Sequence, residues 1–359
     1  MARAPSGDVL STLTNVPMTA NQQRPYNENM ALEIPIIDIS SFISNSGQGA
    51  DAAAIVSQVR SACENVGFFI ITGHGIDRGM LDAHWEETRK WFDHPIEVKS
   101  ECPMTKDYVY GYSGFGEEVL SRSLSKTENI PDLKESFCIG PDHAAAPPRR
   151  WDSHSPAFKE TMSAYYDSVN GLADTLLEII AMGLGLPPAY FKEFTDKHMS
   201  ALRSLNYPAQ TVPPKPGQLR ASAHTDYGSI TILRQDDVGG LQVMLQSGEW
   251  FDVATPPYSF VVNLGDLLQR WTNDRFISTI HRVANPPAEK ALLRRQSVAF
   301  FHNVNSETVI EALPTCREPF EAKSSSSLFL KKLKEENGGY PSTTAQEHLM
   351  SKHKAAMDY

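Results

Sequence analysis

The 359-residue chain is predicted to form a mainly β fold with flanking α-helices, whose β part is an antiparallel sandwich or a jelly roll. Two observations predict this class. Short β-prone segments between residues 200 and 305 are separated by Gly, Pro, Asn and Asp, which favour turns. The preceding part of the chain instead repeats apolar residues at helical spacing, most extensively over residues 156–184.

The elements before the β-rich region follow from apolar periodicity and from turn residues. Residues 34–38 and 67–72 are predicted strands, and a helix over about 51–65 should connect them, because its apolar residues recur at helical spacing. A second helix is expected over about 77–92. The third helix, over about 156–184, has a continuous apolar stripe and ends before a turn that contains Gly and Pro.

The remaining regions have weaker patterns. Residues 105–150 are expected to be mostly loop, and the charged tail from residue 326 is expected to be helical, with a final surface helix over 343–356. We expect one structural unit with four regions, namely a flexible N-terminal arm over 1–32, an α/β region over 33–150, a jelly-roll region with a long support helix over 151–330, and a helical tail over 331–359.

Composition argues against several kinds of partner. A formal net charge of −10 leaves no basic stripe to neutralise phosphates, so a nucleic-acid partner is not expected. No apolar run approaches the length of a membrane span, so no membrane partner is expected either. The four cysteines form no C-x-x-C pair, which fits a reducing, cytoplasmic location. We expect a monomer whose partner is a small molecule.

Three side chains with the spacing of metal ligands carry the sharpest functional prediction. His224 and Asp226 share one face of an extended segment, and His281 lies in a separate β-prone segment. Two imidazoles and one carboxylate are the protein ligands of the facial triad that binds non-haem Fe(II). The alternative is a pair of hydrogen-bonded histidines at strand ends. His74 is expected to serve a turn or a cap, and His302, which could line the cavity, is not expected to bind metal.

A second constellation follows His281 along the chain. Arg295 and Ser297 would lie on one face of a strand by the same alternation. A guanidinium fork beside a hydroxyl is a good receptor for a carboxylate, because it binds both oxygens and keeps its charge. The alternative is that Arg294 or Arg295 pairs with a carboxylate of the protein. Together with the triad, the pair indicates a metal that works beside an anionic co-substrate.

These motifs belong to an ordered series that also includes the N-terminal half of the chain. Its segments are Ile34–Asp38, Gly67–Ile71, His74–Ile76, Trp91–Phe92, Lys134–Phe137, His224–Asp226, Gly239–Val243, Val262–Asp266, His281–Val283 and Arg295–Ser297. In this order they resemble the Fe(II)/2-oxoglutarate-dependent dioxygenases, and within them the isopenicillin N synthase-like and plant-type branch. The resemblance covers residues 33 to 330. It implies a double-stranded β-helix, or jelly-roll, core.

The resemblance also implies roles for individual residues. His224, Asp226 and His281 would bind Fe(II), while Arg295, Ser297 and Tyr207 would hold the distal carboxylate of 2-oxoglutarate. With O2 as the second co-substrate, such enzymes release succinate and CO2 and hydroxylate, desaturate or cyclise a small organic molecule. Plant members usually carry Asn-Tyr-Tyr-Pro, whereas this chain has Leu-Asn-Tyr-Pro ending at residue 208, which puts a ligand role for its asparagine in doubt.

The substrate itself is only indirectly indicated. Tyr112, Phe115 and Phe301 are candidate lining residues, and ordinary packing in core or loop is the alternative for each. They indicate a partly apolar small molecule. Two rival functions remain at this point. One is an oxidase like isopenicillin N synthase, which needs no 2-oxoglutarate. The other is a catalytically silent jelly roll that binds a small ligand, although the intact triad argues against it.

Overall fold

Strands drawn from most of the chain form the centre of the computed structural model, which describes residues 34–120, 130–245, 247–318 and 328–356. The predicted N-terminal arm lies outside these ranges. The described strands are β1 Ile36–Asp38, β2 Phe68–Thr72, β3 Gly111–Ser113, β4 Glu135–Ile139, β5 Ala201–Tyr207, β6 Ala221–His224, β7 Ile230–Gln235, β8 Leu241–Met244, β9 Trp250–Asp252, β10 Phe260–Leu264, β11 His281–Val283, β12 Arg295–His302, β13 Val309–Ile310 and β14 Thr343–Thr344.

The described α-helices precede, interrupt and follow this β-rich region. They are α1 Ser40–Ser44, α2 Gly49–Asn65, α3 Arg78–Phe92, α4 Ile96–Lys99, α5 Pro156–Gly183, α6 Asp266–Trp271, α7 Leu328–Asn337 and α8 Ala345–Ala356. The helices predicted before the β-rich region are confirmed as α2, α3 and α5. Within the described ranges, no helix combines the length and the apolar composition that a bilayer crossing requires.

Two sheets contain twelve of the described strands, and β13 and β14 form a separate antiparallel pair. The larger has the order β1-β2-β10-β7-β12-β5-β4-β3, and the smaller has the order β6-β11-β8-β9. Only β1 and β2 pair in parallel among these neighbours, and the other pairs are antiparallel. The predicted mainly β class with flanking helices is therefore confirmed.

The strand β12 separates the core from the site. Val298 and Phe300 belong to the main hydrophobic cluster, which also includes the buried side of α5. Because side chains alternate along a strand, Arg295, Ser297 and Phe301 lie on the opposite face of the sheet. One face of β12 thus packs against the helices. The other face carries the side chains of Arg295 and Ser297 towards the candidate site.

The stretch over 105–150 is rich in loops as expected, but it also supplies two strands to the larger sheet. It contains β3 and β4, and β4 pairs along its length with β5. All five residues of β4 are buried, so the alternation of polar and apolar residues that marks a half-exposed strand is absent. Its polar Glu135 is instead satisfied by Lys99 at 2.9 Å and by Asn206 at 2.7 Å.

The tail is helical as predicted, and the last helix is exposed on one side at Met350 and its neighbours, but its other side is buried and polar. The side chains of His348 and Lys352 on α8 are both buried. Polar residues at these positions resemble a solvated helix face in the sequence. They are buried because they find polar partners in the interior.

Close backbone approach at Gly265 provides a test of this packing. A Cβ atom at Gly265 would lie 2.3 Å from the carbonyl oxygen of Gly228, in the loop that carries Asp226. We expect Gly265→Ala to lower the free energy of unfolding by about 1–3 kcal/mol, as overpacking does. Gly171→Ala in α5 is the matched control, because nothing lies within 4 Å of its new methyl group. Urea unfolding should show the control unchanged or stabilised by up to about 1 kcal/mol. Equal stability of the two variants would contradict this packing.

Candidate functional site

The two histidines of the predicted triad lie side by side on neighbouring strands of the smaller sheet. His224 ends β6, His281 begins β11, and the two residues are paired across the antiparallel ladder. Their ring centroids are 4.4 Å apart. The Nε2 atoms of His224 and His281 lie 3.8 Å and 3.7 Å from Oδ1 of Asp226, respectively. One potential ligand atom from each residue therefore falls within 4.8 Å of the others.

Backbone carbonyls orient both imidazoles. Nδ1 of His224 is 2.7 Å from the carbonyl oxygen of Ser222, and Nδ1 of His281 is 3.1 Å from that of Thr279. Since a carbonyl oxygen only accepts, each Nδ1 carries the proton and donates it. Nε2 is therefore the nitrogen of each ring that faces Asp226, and a neutral imidazole with its proton on Nδ1 is the tautomer that a metal ligand needs.

The larger sheet holds the carboxylate of Asp226. Oδ2 accepts hydrogen bonds from Oγ1 of Thr231 on β7 at 2.6 Å and from Nδ2 of Asn263 on β10 at 2.7 Å. Burial raises the pKa of Asp226, but His281, His224 and these two hydrogen bonds outweigh it and hold the pKa below its ordinary value. Burial, with His281 as the next cause, lowers the pKa of His224 to about 4. The geometry thus presents a neutral imidazole beside an ionised carboxylate.

This donor set fits Fe(II). Two imidazole nitrogens and one carboxylate oxygen converge, while Nδ1 of each ring and Oδ2 of Asp226 are engaged elsewhere. The alternative of histidines that merely hydrogen-bond at strand ends is not supported, because the Nε2 atoms stand 3.7–3.8 Å from Oδ1 of Asp226, beyond hydrogen-bond distance.

Arg295 lies buried at the start of β12 with neutral partners. Its Nε donates to the carbonyl oxygen of Gly239 at 2.9 Å, and Nη2 donates to Oε1 of Gln235 at 2.8 Å. Nη1 donates to Oγ of Ser297 at 3.3 Å. Among the residues that the structure describes, no carboxylate comes within ion-pair distance of Arg295. A buried guanidinium in such surroundings favours binding of an external anion.

The neighbouring arginine has the opposite environment. Arg294 points to the other surface, where its Nη1 pairs with Oδ1 of the exposed Asp93 at 2.5 Å. The alternative of pairing with a protein carboxylate therefore describes Arg294 and not Arg295. Alternation along the strand accounts for the difference between the two.

Two further side chains, those of Tyr207 and Arg220, lie near the guanidinium group of Arg295. Tyr207 is opposite Arg295 in the pairing of β5 with β12, and the guanidinium carbon lies 4.7 Å from the centroid of the tyrosine ring. Arg220 is 1% exposed and donates from Nη2 to the carbonyl oxygen of Leu293 at 3.0 Å. Burial lowers the pKa of Arg220, and the charge of Arg295 lowers it further. The two guanidinium groups together make this end of the interior favourable for an anion.

The structure separates the three candidate substrate residues. Phe301 pairs across from Thr231, whose hydroxyl binds Asp226, so it lies on the site face of the sheet. Tyr112 is buried on the helix side, where its ring meets Trp91 and its hydroxyl donates to Glu135 at 2.5 Å. This location does not support a substrate contact by Tyr112.

Phe115 has a different position again, because its side chain is 55% exposed. It lies in the loop after β3, and no described contact brings it to the triad. A substrate contact by Phe115 stays a prediction.

Other sequence expectations have simple outcomes. Asn206 faces the helix side and donates to Oε1 of Glu135, so it is directed away from Tyr207 and the site. His302 also lies on the helix side of β12, where Nδ1 is 2.8 Å from Oγ of Ser229, and it does not line the site. His74 serves a turn, because its Nδ1 accepts from the backbone N–H of Ile76 at 3.1 Å.

Sequence reasoning missed the residues that hold the candidate ligands in place. Thr231, Gln235 and Asn263 lie in strands that look purely structural. A polar residue within a buried apolar strand was the available signal, most clearly Asn263 in the fully buried β10. Such a residue needs a hydrogen-bond partner in the interior, and here that partner is Asp226.

Comparison with known families and proteins identifies the relatives of this chain. The model of the 2OG-Fe(II) oxygenase superfamily matches residues 198–304, and a model described as non-haem dioxygenase in morphine synthesis N-terminal matches residues 34–158. A 2-oxoglutarate-Fe(II) type oxidoreductase of Emericella nidulans is 36% identical over 79% of this chain and 82% of its own length. A 2-oxoglutarate-dependent dioxygenase of Monascus ruber is 33% identical over 78% of this chain and 88% of its own length.

Solved structures agree as well. A full-length Neurospora crassa protein, crystallised in complex with alpha-KG and thymine, has a TM-score of 0.77 and 31% identity, and the match covers 92% of this chain and 98% of that one. The family match and the two-sheet architecture confirm the predicted jelly-roll core. The relatives favour an enzyme that needs 2-oxoglutarate over the oxidase that does not, and over a silent binding protein. The chain therefore belongs to the 2OG-Fe(II) oxygenase superfamily, and it is a 2-oxoglutarate- and Fe(II)-dependent oxygenase that acts on a small organic molecule.

Proposed function

We propose that His224, Asp226 and His281 are the protein ligands of the catalytic Fe(II). The convergence of two Nε2 atoms and Oδ1 of Asp226 within 4.8 Å supports this assignment most directly. The hydrogen bonds behind these atoms support it further, because they fix each donor in the orientation that a metal requires. The histidine ligands come from one sheet, and the support of the carboxylate comes from the other.

We propose further that Arg295, Ser297 and Tyr207 bind the distal carboxylate of 2-oxoglutarate. Arg295 and Ser297 share the site face of β12 and are already hydrogen-bonded to each other at 3.3 Å. A carboxylate placed there gains two charge-assisted hydrogen bonds from the guanidinium. The nearby Arg220 adds a second positive charge and increases the preference for a dicarboxylate over a neutral 2-oxo compound.

The chain's own residues then position the reactants. When bound, Fe(II) supplies the oxidative decarboxylation of 2-oxoglutarate by O2 to succinate and CO2, which is coupled to oxidation of the substrate's C–H bond. Arg295 fixes one end of the co-substrate and the triad fixes the other. The buried walls around Ser297 and Asp226 limit the access of water to the reactants.

Phe301 is proposed to contact the primary substrate. It is half-buried, and it packs against a small apolar cluster that includes Leu205 and Ala299 on the same face of the sheet. This surface, next to the residues around the metal ligands, fits a partly apolar small molecule. The thymine in the Neurospora crassa complex is a small molecule of this kind.

We also propose that the protein acts as a cytoplasmic monomer on free small molecules, without nucleic-acid or membrane partners. The net charge of −10 disfavours binding to phosphate backbones. Four cysteines, all buried as free thiols in the structure, fit a reducing compartment.

Removal of the carboxylate ligand tests the metal assignment. We expect Asp226→Ala to lose Fe(II) binding and to lower turnover below detection, because only two protein ligands remain. The donors of Thr231 and Asn263 lose their acceptor, so the free energy of unfolding should fall by about 1–3 kcal/mol while the fold persists. Metal content, O2 uptake and circular dichroism measure these effects. Asp82→Ala, at an exposed ion pair with Arg234, is the control and should bind Fe(II) normally. Turnover retained in Asp226→Ala would refute the assignment.

Adjacent arginines allow a matched test of the co-substrate site. We expect Arg295→Lys to raise the KM for 2-oxoglutarate by roughly 10-fold or more, since lysine keeps the charge but loses the bidentate fork. Arg294→Lys, one residue earlier on the opposite face, should change this KM by less than about twofold, because a surface ion pair contributes little. Succinate formation at varied 2-oxoglutarate concentration gives both values. An unchanged KM in Arg295→Lys would show that the co-substrate binds elsewhere.

A further inference from the structure

The helix α8 buries two polar side chains behind the loop that carries Asp226. His348 and Lys352 are four residues apart and therefore lie on the same side of the helix. Their exposed fractions are 2% and 1%. Burial of a lysine costs free energy unless a partner compensates its charge. The partners of Lys352 therefore indicate what α8 does in the fold.

Lys352 forms an ion pair with Oδ2 of Asp266, at the first residue of α6. The same oxygen accepts a hydrogen bond from Oγ1 of Thr225 at 3.1 Å. The backbone N–H of Asp266 in turn donates to the carbonyl oxygen of Asp226 at 2.8 Å. One carboxylate thus links α8 to Thr225, which separates the two candidate ligands His224 and Asp226.

His348 contacts the loop at Tyr227, on the C-terminal side of Asp226. Its Nε2 lies 3.1 Å from the carbonyl oxygen of Tyr227, which only accepts, so Nε2 carries the proton. The ammonium of Lys352 is also 5.6 Å from the centre of the Tyr227 ring. The residues immediately before and after Asp226 are therefore both connected to the C-terminal helix.

We propose that Lys352 and His348 are positioning residues for the metal, and that α8 fixes the loop over residues 225–227 so that His224 and Asp226 are directed at the ion before it binds. The proposal rests on the ligand assignment above. Without this support, part of the free energy of metal binding is used to order the loop. The affinity for the metal is therefore lower. Substitution of such supporting residues typically weakens metal binding by about 10–100-fold.

The test measures Fe(II) affinity under anaerobic conditions. Fe(II) is titrated into the full-length protein with saturating 2-oxoglutarate, and binding is followed by the visible metal-to-ligand charge-transfer band. We expect Lys352→Met to raise the Kd for Fe(II) at least about 10-fold, as loss of a supporting group does. Lys334→Met is the matched control. It removes a Lys–Asp pair between α7 and Asp274, away from the loop, and should leave the Kd within about twofold.

A second pair of variants leaves no buried charge without its ion-pair partner. His348→Leu removes one neutral hydrogen bond and should raise the Kd by about 3-fold or more, in proportion to a bond of modest strength. His348→Gln keeps a donor in the place of Nε2 and should restore wild-type affinity. If Lys352→Met fails to fold, this pair decides the question, and rescue by glutamine distinguishes positioning of the loop from a general loss of stability.

The outcomes separate this inference from the ligand assignment. Folded Lys352→Met and His348→Leu proteins with wild-type affinity for Fe(II) would overturn the role of α8 and leave the triad untouched. Normal Fe(II) binding by Asp226→Ala would instead overturn the triad itself. Weakened binding in the α8 variants with an unaffected Lys334→Met supports the inference.

Discussion

The carboxylate of Asp226 is the point at which the two sheets meet, and the geometry of the site depends on how its oxygens are divided. Oδ2 is held by Thr231 and Asn263 of the larger sheet, while Oδ1 faces the histidines of the smaller sheet. Neither sheet could form this arrangement alone. The smaller sheet supplies imidazoles without a carboxylate anchor, and the larger supplies donors without a metal ligand. The geometry of the site therefore depends on how the two sheets are packed.

The charges around this point follow one pattern. Asp226 and Arg295, the buried ionic groups proposed to face the metal and the co-substrate, are held by neutral hydrogen-bond partners. Arg295 is supported by Gly239, Gln235 and Ser297, none of which carries charge. By contrast, the buried charge of Lys352, away from the centre, is matched by Asp266 within the protein. At Arg295 the compensating charge is left for a bound ligand to supply, which is how a folded protein keeps a site ready for binding.

Much of the site could be predicted from the sequence because it depends on local periodicity. The spacing of His224 and Asp226, and that of Arg295 and Ser297, follows from alternation along a strand, and the structure places each pair as expected. The helices α2, α3 and α5 were predictable for a similar reason, since each has one apolar face.

The remaining features depend on partners that are distant in the chain. The strand β4 has no alternation, because both of its faces are buried, and the sequence does not indicate on which face of the sheet Tyr112 lies. The burial of His348 and Lys352 on α8 was also not predictable. Histidine and lysine usually indicate a solvent-exposed position, and only the structure shows that Asp266 and Tyr227 face them. Periodicity identifies which residues share a face, but it does not identify what lies opposite.

The adjacency of Arg294 and Arg295 has a consequence for how this region can change during evolution. Strand β12 is hydrogen-bonded along both of its edges, to β5 and to β7, so its register is fixed from two sides. Insertion or deletion of a single residue within it would exchange the faces on which the two arginines lie. The guanidinium of Arg295 would then face solvent, and that of Arg294 would face the interior. We therefore expect length variation among descendants of this chain to accumulate in the connecting loops, while β12 diversifies only by substitution.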